Sequence, residues 1–346
     1  MTNGTPRPIA GSLGDLLGSR AIHPGELGEL FAATSGDTAT VLGGRPLLFV
    51  DATVGSAPPG WTPGSFPVVV VGVVDGDDAD VMAVDPAPYD VVLGAADPML
   101  EAIAQQVERT PIAAVSLAVL LRGSEERSIE QGLAAESAVY STLQAGAEFQ
   151  AWRSSRGDRG LPPDPEPPVL VDRRGDELHV TLNRPHRHNA VTAALRDGLA
   201  EALTLAAADD TIVAVHLSGN GPSFCSGGDL GEFGSFPDPA TAHVTRLTRS
   251  PARLAHLIAH RLHVHLHGAS MGAGIEVPAL AAHVMAAPDT VISLPELGLG
   301  LVPGAGGTAS IPKRIGRHRT AALALSGARI DARTALAWGL VDEVAV

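Results

Sequence analysis

The apolar pattern divides the chain into three stretches of different period. Between residues 46 and 93 it comes in short unbroken runs, PLLFV at 46–50, PVVVVGVV at 67–74 and YDVVL at 89–93, each bounded by Gly, Pro or Asp. Runs of that length without alternation fit strands buried on both faces, so this stretch predicts an α/β layer. The acidic DGDDAD at 75–80 lacks the glycine and distal glutamate of a calcium loop and reads as a solvated turn. Residues 1–40 mix turn formers with short apolar stretches and give only weak helix signals.

Residues 98–153 change to a helical spacing and predict three helices. Pro98 and Pro111 stand at first helical positions, before MLEAIAQQVER and IAAVSLAVLLR, and Ser124 is placed to cap the third, through SIEQGLAAESAVYSTLQ. GDRGLPPDPEPP at 157–168 follows, with too many prolines for a folded element, and reads as an extended linker and domain boundary. Beyond it, strands at 178–182, 212–217 and 262–266 alternate with a helix at 192–207 and Gly-rich turns. In that α/β order the chemistry belongs at the loops leaving the strands. The expected division is an acidic α/β region at 1–97, helices at 98–156, the linker, and a catalytic core at 169–346.

Composition narrows the function classes. Of 346 residues 24 are basic and 38 acidic, a formal net charge of −14, which disfavours a duplex nucleic-acid partner. The charge is uneven: residues 1–100 hold 3 Arg against 12 Asp or Glu. With 45% hydrophobic residues the chain can fill a core, and whole-chain disorder is excluded. The lone cysteine, Cys225, leaves no intrachain disulfide, and neither a signal pattern nor a membrane-length apolar run stands in the sequence, so a cytoplasmic protein without a membrane partner is expected.

Four segments carry the candidate chemistry: LNRPHRHNAV at 182–191, FCSGGDL at 224–230, HGASMGAGIE at 267–276 and LPELGLGLVPGAGGT at 294–308. Glycine-rich turns free backbone N–H groups to stabilise a developing oxyanion. Two glutamates, Glu276 and Glu296, lie twenty residues apart among apolar neighbours. Two carboxylates over an apolar pocket can divide acid and base work when their environments separate their pKa values.

These four segments, in this order over residues 169–346, resemble the crotonase (enoyl-CoA hydratase/isomerase) superfamily. The resemblance implies an α/β spiral of ββα units with a helical trimerisation segment, here joined to the N-terminal α/β layer. It implies a lyase that adds water to a 2-enoyl-CoA thioester, with coenzyme A carried by the substrate and no separate cofactor. Matched motif to motif, Gly228 and Ala273 would supply the oxyanion amides, Glu276 would activate water, and Glu296 would bind water and protonate Cα. The amide of Gly304 would help hold the water. Arg184, Arg187 and His188, with Ser226 and Gly227, would bind coenzyme A, while Asp229 reads as a cap for the following helix. The family resemblance also implies a homotrimer or hexamer. Family members carry a helical tail after the core, and the helices of 98–153 look like such a tail placed upstream. Alternative readings on the same scaffold are an enoyl-CoA isomerase, a cofactor-independent arylacetyl-CoA oxygenase, and a non-catalytic acyl-CoA-binding oligomer.

Three features depart from the family pattern. Ala273 replaces a usual glycine, giving up easy positive φ while keeping its N–H. Pro278 falls two residues after Glu276, where the interior of a helix would lose about 3 kcal/mol. His263, His265 and His267 share one face of a strand; a span of about 13 Å is too long for one metal ion, so polar contacts beneath the active site are expected. Cys225, with no base nearby in sequence, reads as a packed core thiol.

Overall fold

The structure, a computed structural model, describes residues 24–27, 46–53, 62–64, 66–76, 78–156, 166–235 and 238–345. Nearly all of the weak-helix region at 1–40 and most of the Pro-rich linker lie outside them. The described chain is mixed α/β and divides into two compact units, Met1–Leu100 and Glu101–Val346.

In the first unit β1 (Leu47–Asp51), β2 (Val69–Val74) and β3 (Val91–Gly94) form a parallel sheet in the order β1-β2-β3. Every residue of the central strand β2 is buried, which is why its apolar run shows no alternation. Leu48, Val50, Val70 and Tyr89 form the core with Leu27. The acidic stretch expected as a turn instead starts a short helix, α1 (Asp78–Ala83).

The second unit holds a six-stranded sheet of order β12-β9-β7-β6-β5-β4 and a small sheet β11-β10-β8. The strands are β4 (Val169–Arg174), β5 (Glu177–Leu182), β6 (Ala214–Gly219), β7 (Leu262–Leu266), β8 (Ala269–Met271), β9 (His283–Ala286), β10 (Val291–Ser293), β11 (Ile330–Asp331) and β12 (Glu343–Val344). The edge strand β4 was not foreseen. It pairs antiparallel with β5 through a tight turn at Gly175 (φ 67°), and its largely exposed VLVDRR offers no buried face to betray it in sequence.

Four helices, rather than the expected three, fill residues 99–156: α2 (Met99–Arg109), α3 (Pro111–Arg122), α4 (Ile129–Gln144) and α5 (Ala147–Arg156). Ser124 does not cap α4. Its hydroxyl donates to Leu121 O at the end of α3, while Ser128 caps α4 in a reciprocal capping box with Gln131. The chain breaks at Gly146, and Glu148 of α5 then accepts from the N–H groups of Ile112 and Ala113, the first orphan donors of α3.

The remaining helices are α6 (Ala193–Ala208), α7 (Pro239–Thr248), α8 (Pro251–Leu257), the single turn α9 (Ala273–Glu276), α10 (Gly307–Ser326) and α11 (Ala332–Trp338). Helix α4 packs on α7 and α10. Gly132 makes the second contact possible, since a Cβ there would lie 2.8 Å from Ala309 Cβ. Pro278 interrupts no helix: α9 ends at Glu276, and Pro278 is the first residue of a separate 3-10 turn, Pro278–Leu280, where its missing N–H costs nothing.

Candidate active site

The site begins where the chain after β6 runs beside β8. Phe224 N donates to His267 O, Cys225 N to Ala269 O and Met271 N to Cys225 O, at 2.8–3.0 Å. This ladder brings Ser226–Gly228 against the turn that opens α9. Gly274 has no room for a side chain against the Cys225 carbonyl, and Gly272 takes the positive φ of the turn (50°). Ala273 therefore needs no left-handed backbone, which explains how an alanine is accommodated there. Gly228, Ala273 and Gly304 all line one cavity of about 250 Å³. None of their three N–H groups donates to a protein acceptor among the described residues.

Glu276, at the end of α9, turns its carboxylate into the same cavity. Its Oε2 accepts from Ala305 N at 2.7 Å and Gly307 N at 2.8 Å, at the start of α10. Burial pushes its pKa up to about 7 against the opposing pull of these two amides. Glu296 opens the 3-10 turn Glu296–Leu299 and is also buried. Its Oε2 has no hydrogen-bond partner, and burial first, then the Glu276 charge, holds its carboxyl well above the ordinary range. Both acids reach over Gly272: a Cβ there would collide with Glu296 Oε1 and lie 3.6 Å from Glu276 Oε1.

The opposite wall comes from α4 and was missed in the sequence. Tyr140 packs so closely on Gly304 that no side chain fits between them, and Arg246 of α7 lies 4.6 Å above the Tyr140 ring. Glu136, 2% exposed, accepts from Gly306 N, Thr308 N and the Thr308 hydroxyl. A signal was available, because Gly132, Glu136 and Tyr140 recur every fourth residue on the buried stripe of α4. An acid on an apolar stripe needs partners from elsewhere in the fold. Leu195, Leu199, Leu217 and Phe233 complete the apolar lining.

The expected coenzyme-binding residues separate into two groups. Arg187, His188 and Ser226 are exposed and stand outside the cavity lining, with Ser226 N donating to His188 O and His188 Nδ1 3.0 Å from Ser223 Oγ. Gly227 is buried beside them at φ 94°. Arg184 is a correction: it is 2% exposed, with its guanidinium on the Ala190 carbonyl and 3.2 Å from Asp229 Oδ2. It braces the loop from inside and cannot meet a phosphate. Asp229 accordingly pairs with Arg184 and accepts from Gly231 N in a turn, with no helix following for it to cap.

The histidines make polar contacts, with His265 Nε2 3.5 Å from His216 Nδ1, but not at the cavity. His263 and His265 do not line the cavity. They stack with His216, His179 and His283 across four neighbouring strands, with ring centroids 5.0–6.2 Å apart, on the half-exposed face of the sheet. His267 instead contacts the Gly221 carbonyl at 3.0 Å. Among the described residues no group of three or more His, Cys, Asp or Glu is arranged to hold a metal ion. Cys225 is buried, and burial pushes its thiol up to about 12, far from a reactive thiolate. None of the described helices is long and apolar enough to cross a membrane.

Comparison with known proteins places these residues in context. The sequence pattern of the enoyl-CoA hydratase/isomerase family matches residues 177–346. A 2,3-dehydroadipyl-CoA hydratase of Escherichia coli K12 is 36% identical over 178 residues, covering 51% of this chain and 68% of that protein. A 1,2-epoxyphenylacetyl-CoA isomerase of the same organism is 33% identical over 174 residues, covering 48% and 65%. A crystal structure of an enoyl-CoA hydratase from Thermoplasma volcanium GSS1 is 36% identical, covers 52% of this chain and 72% of its own, and superposes with a TM-score of 0.49. The curated relatives are thus matched over about two thirds of their own length by about half of this chain.

Proposed function

Because the chain belongs to the enoyl-CoA hydratase/isomerase family, we propose that it adds water across the double bond of a 2-enoyl-CoA thioester. The observation that carries this reading is the unpartnered Oε2 of buried Glu296, in the cavity that also receives Glu276. A buried carboxyl oxygen without a partner is costly unless a ligand or water supplies one.

The division of labour follows from the two environments. Glu276, with a pKa near 7 and two amides on its carboxylate, can be ionised at neutral pH and takes the proton of the attacking water. The water oxygen bonds to Cβ, and the π electrons move to form the thioester enolate. Its oxyanion lies between the N–H groups of Gly228 and Ala273, which need no reorganisation to receive it. Glu296, held protonated by burial, gives its proton to Cα, leaving a 3-hydroxyacyl thioester. The Gly304 amide helps hold the water. Arg187, His188, Ser226 and Gly227, next along the chain to the cavity-lining Gly228, bind the coenzyme A part of the substrate, and no further cofactor enters. A trimer or hexamer in the cytoplasm belongs to the same reading.

The test is direct. Purified protein is expected to remove the conjugated absorbance of crotonyl-CoA, and Glu296→Gln to lower kcat by about 10²–10⁴. A wild-type protein inactive on short, medium and aromatic 2-enoyl-CoA esters overturns the reading. One that moves the double bond of a 3-enoyl-CoA without hydrating it assigns the isomerase reaction instead.

A further inference from the structure

Helix α4 brings to the cavity an acid that no motif marks. Four successive N–H groups at the start of α10 are dealt alternately to two carboxylates. Ala305 and Gly307 donate to Glu276, at 2.7 and 2.8 Å. Gly306 and Thr308 donate to Glu136, also at 2.7 and 2.8 Å, and the Thr308 hydroxyl adds a third contact at 2.7 Å. N–H groups at a helix start have no intrahelical acceptor, and carboxylates are their strongest partners. Each acid therefore holds the loop that the other also holds, and the conformation that aims Glu276 depends on both.

The electrostatics point the same way. Glu136 and Glu276 are each 2% exposed, and two nearby buried carboxylates resist simultaneous ionisation. Burial, and then the Glu276 charge, raise Glu136 to about 8. The other titratable and charged groups facing this pair are Glu296 from its 3-10 turn, Tyr140 one turn along α4, Arg246 from α7 and the Cys225 thiol. Arg246 is already engaged by Ser137 and Ser141 of α4 and by the Tyr140 ring.

We infer that Glu136 is a positioning residue for Glu276, fixing the loop that aims its carboxylate. The inference rests on the hydratase reading above for its kinetic consequences, and on the alternating amide contacts for the positioning. It makes a helix from upstream of the linker part of the catalytic apparatus.

The experiment is the pH profile of kcat in Glu136→Gln and Glu136→Asp. Glu276 ionises first, near 7, while Glu136 still holds its proton, so Glu136→Gln leaves the acid limb in place. Its kcat falls about tenfold or more with KM within about threefold, because the amide loses acceptors for the loop. Glu136→Asp keeps both acceptor oxygens but draws them back from the Gly306 and Thr308 amides, so kcat falls again with KM little changed. A kcat in Glu136→Gln within about threefold of wild type, or a loss that falls on KM instead, overturns the inference. If Glu136→Gln does not fold, ¹³C NMR of glutamate carboxyls in wild type and Glu276→Gln decides. A high-pH carboxyl midpoint must move down when Glu276 loses its charge; midpoints that stay put mean that the two acids do not meet at the loop, and overturn the inference. Coupled titration in a protein that turns over no enoyl-CoA overturns only the hydratase reading.

Discussion

Glu276→Gln should stabilise the protein at alkaline pH while disabling it. Glutamine is close to an isostere of the protonated acid, so the substitution isolates the cost of ionising Glu276 inside the fold. Its carboxyl is raised from 4.5 to about 7 by burial. A carboxyl raised on folding adds nothing below its unfolded pKa, where both states are protonated. It destabilises increasingly between 4.5 and 7 and fully above that, by an order of about 3 kcal/mol. Part of this returns through relaxation of the coupled Glu136. For a unit of this size each kcal/mol moves the melting temperature by about 2–4 °C. Thermal unfolding should therefore show variant and wild type melting together near pH 4.5, with the variant higher by about 3 °C or more near pH 8.5. Over the same interval its kcat for hydration should be about 10²–10⁴ below wild type. A difference in melting temperature that does not change with pH would refute the claim that the Glu276 carboxylate is ionised at a cost in its buried setting.

Further expectations concern the frame around the acids. Arg184→Ala leaves Asp229 buried without its cation and should lower stability by about 3–5 kcal/mol; denaturant unfolding measures it, and a loss confined to CoA affinity would return Arg184 to the ligand site. Arg187→Ala, at an exposed position, should instead weaken CoA-ester binding in calorimetry with the unfolding midpoint unchanged, and unchanged affinity would remove Arg187 from the binding surface. Gly304→Ala forces a methyl group against the Tyr140 ring, so kcat should fall about tenfold or more with the fold retained by circular dichroism; full activity would mean that the loop and α4 part freely.

What the sequence alone determined was everything written in local chemistry. β-branched runs gave β1–β3, prolines marked the starts of α2 and α3, and the family resemblance of four glycine-rich and acidic segments pointed to Gly228, Ala273, Glu276, Glu296 and Gly304, which the structure brings to one cavity. Errors arose where the deciding partner is distant. Arg184 reads like its exposed neighbours Arg187 and His188, and only the approach of Asp229, 45 residues away, turns it inward. The histidines of β7 alternate as any half-exposed strand does, and their stacking was invisible without the register of β5, β6 and β9. Glu136 lies 170 residues before the Gly306 amide it accepts from, and no motif spans that interval. Which amides a buried carboxylate meets, and hence its charge at neutral pH, is set by desolvation and by groups from other elements. Tertiary packing alone decided both.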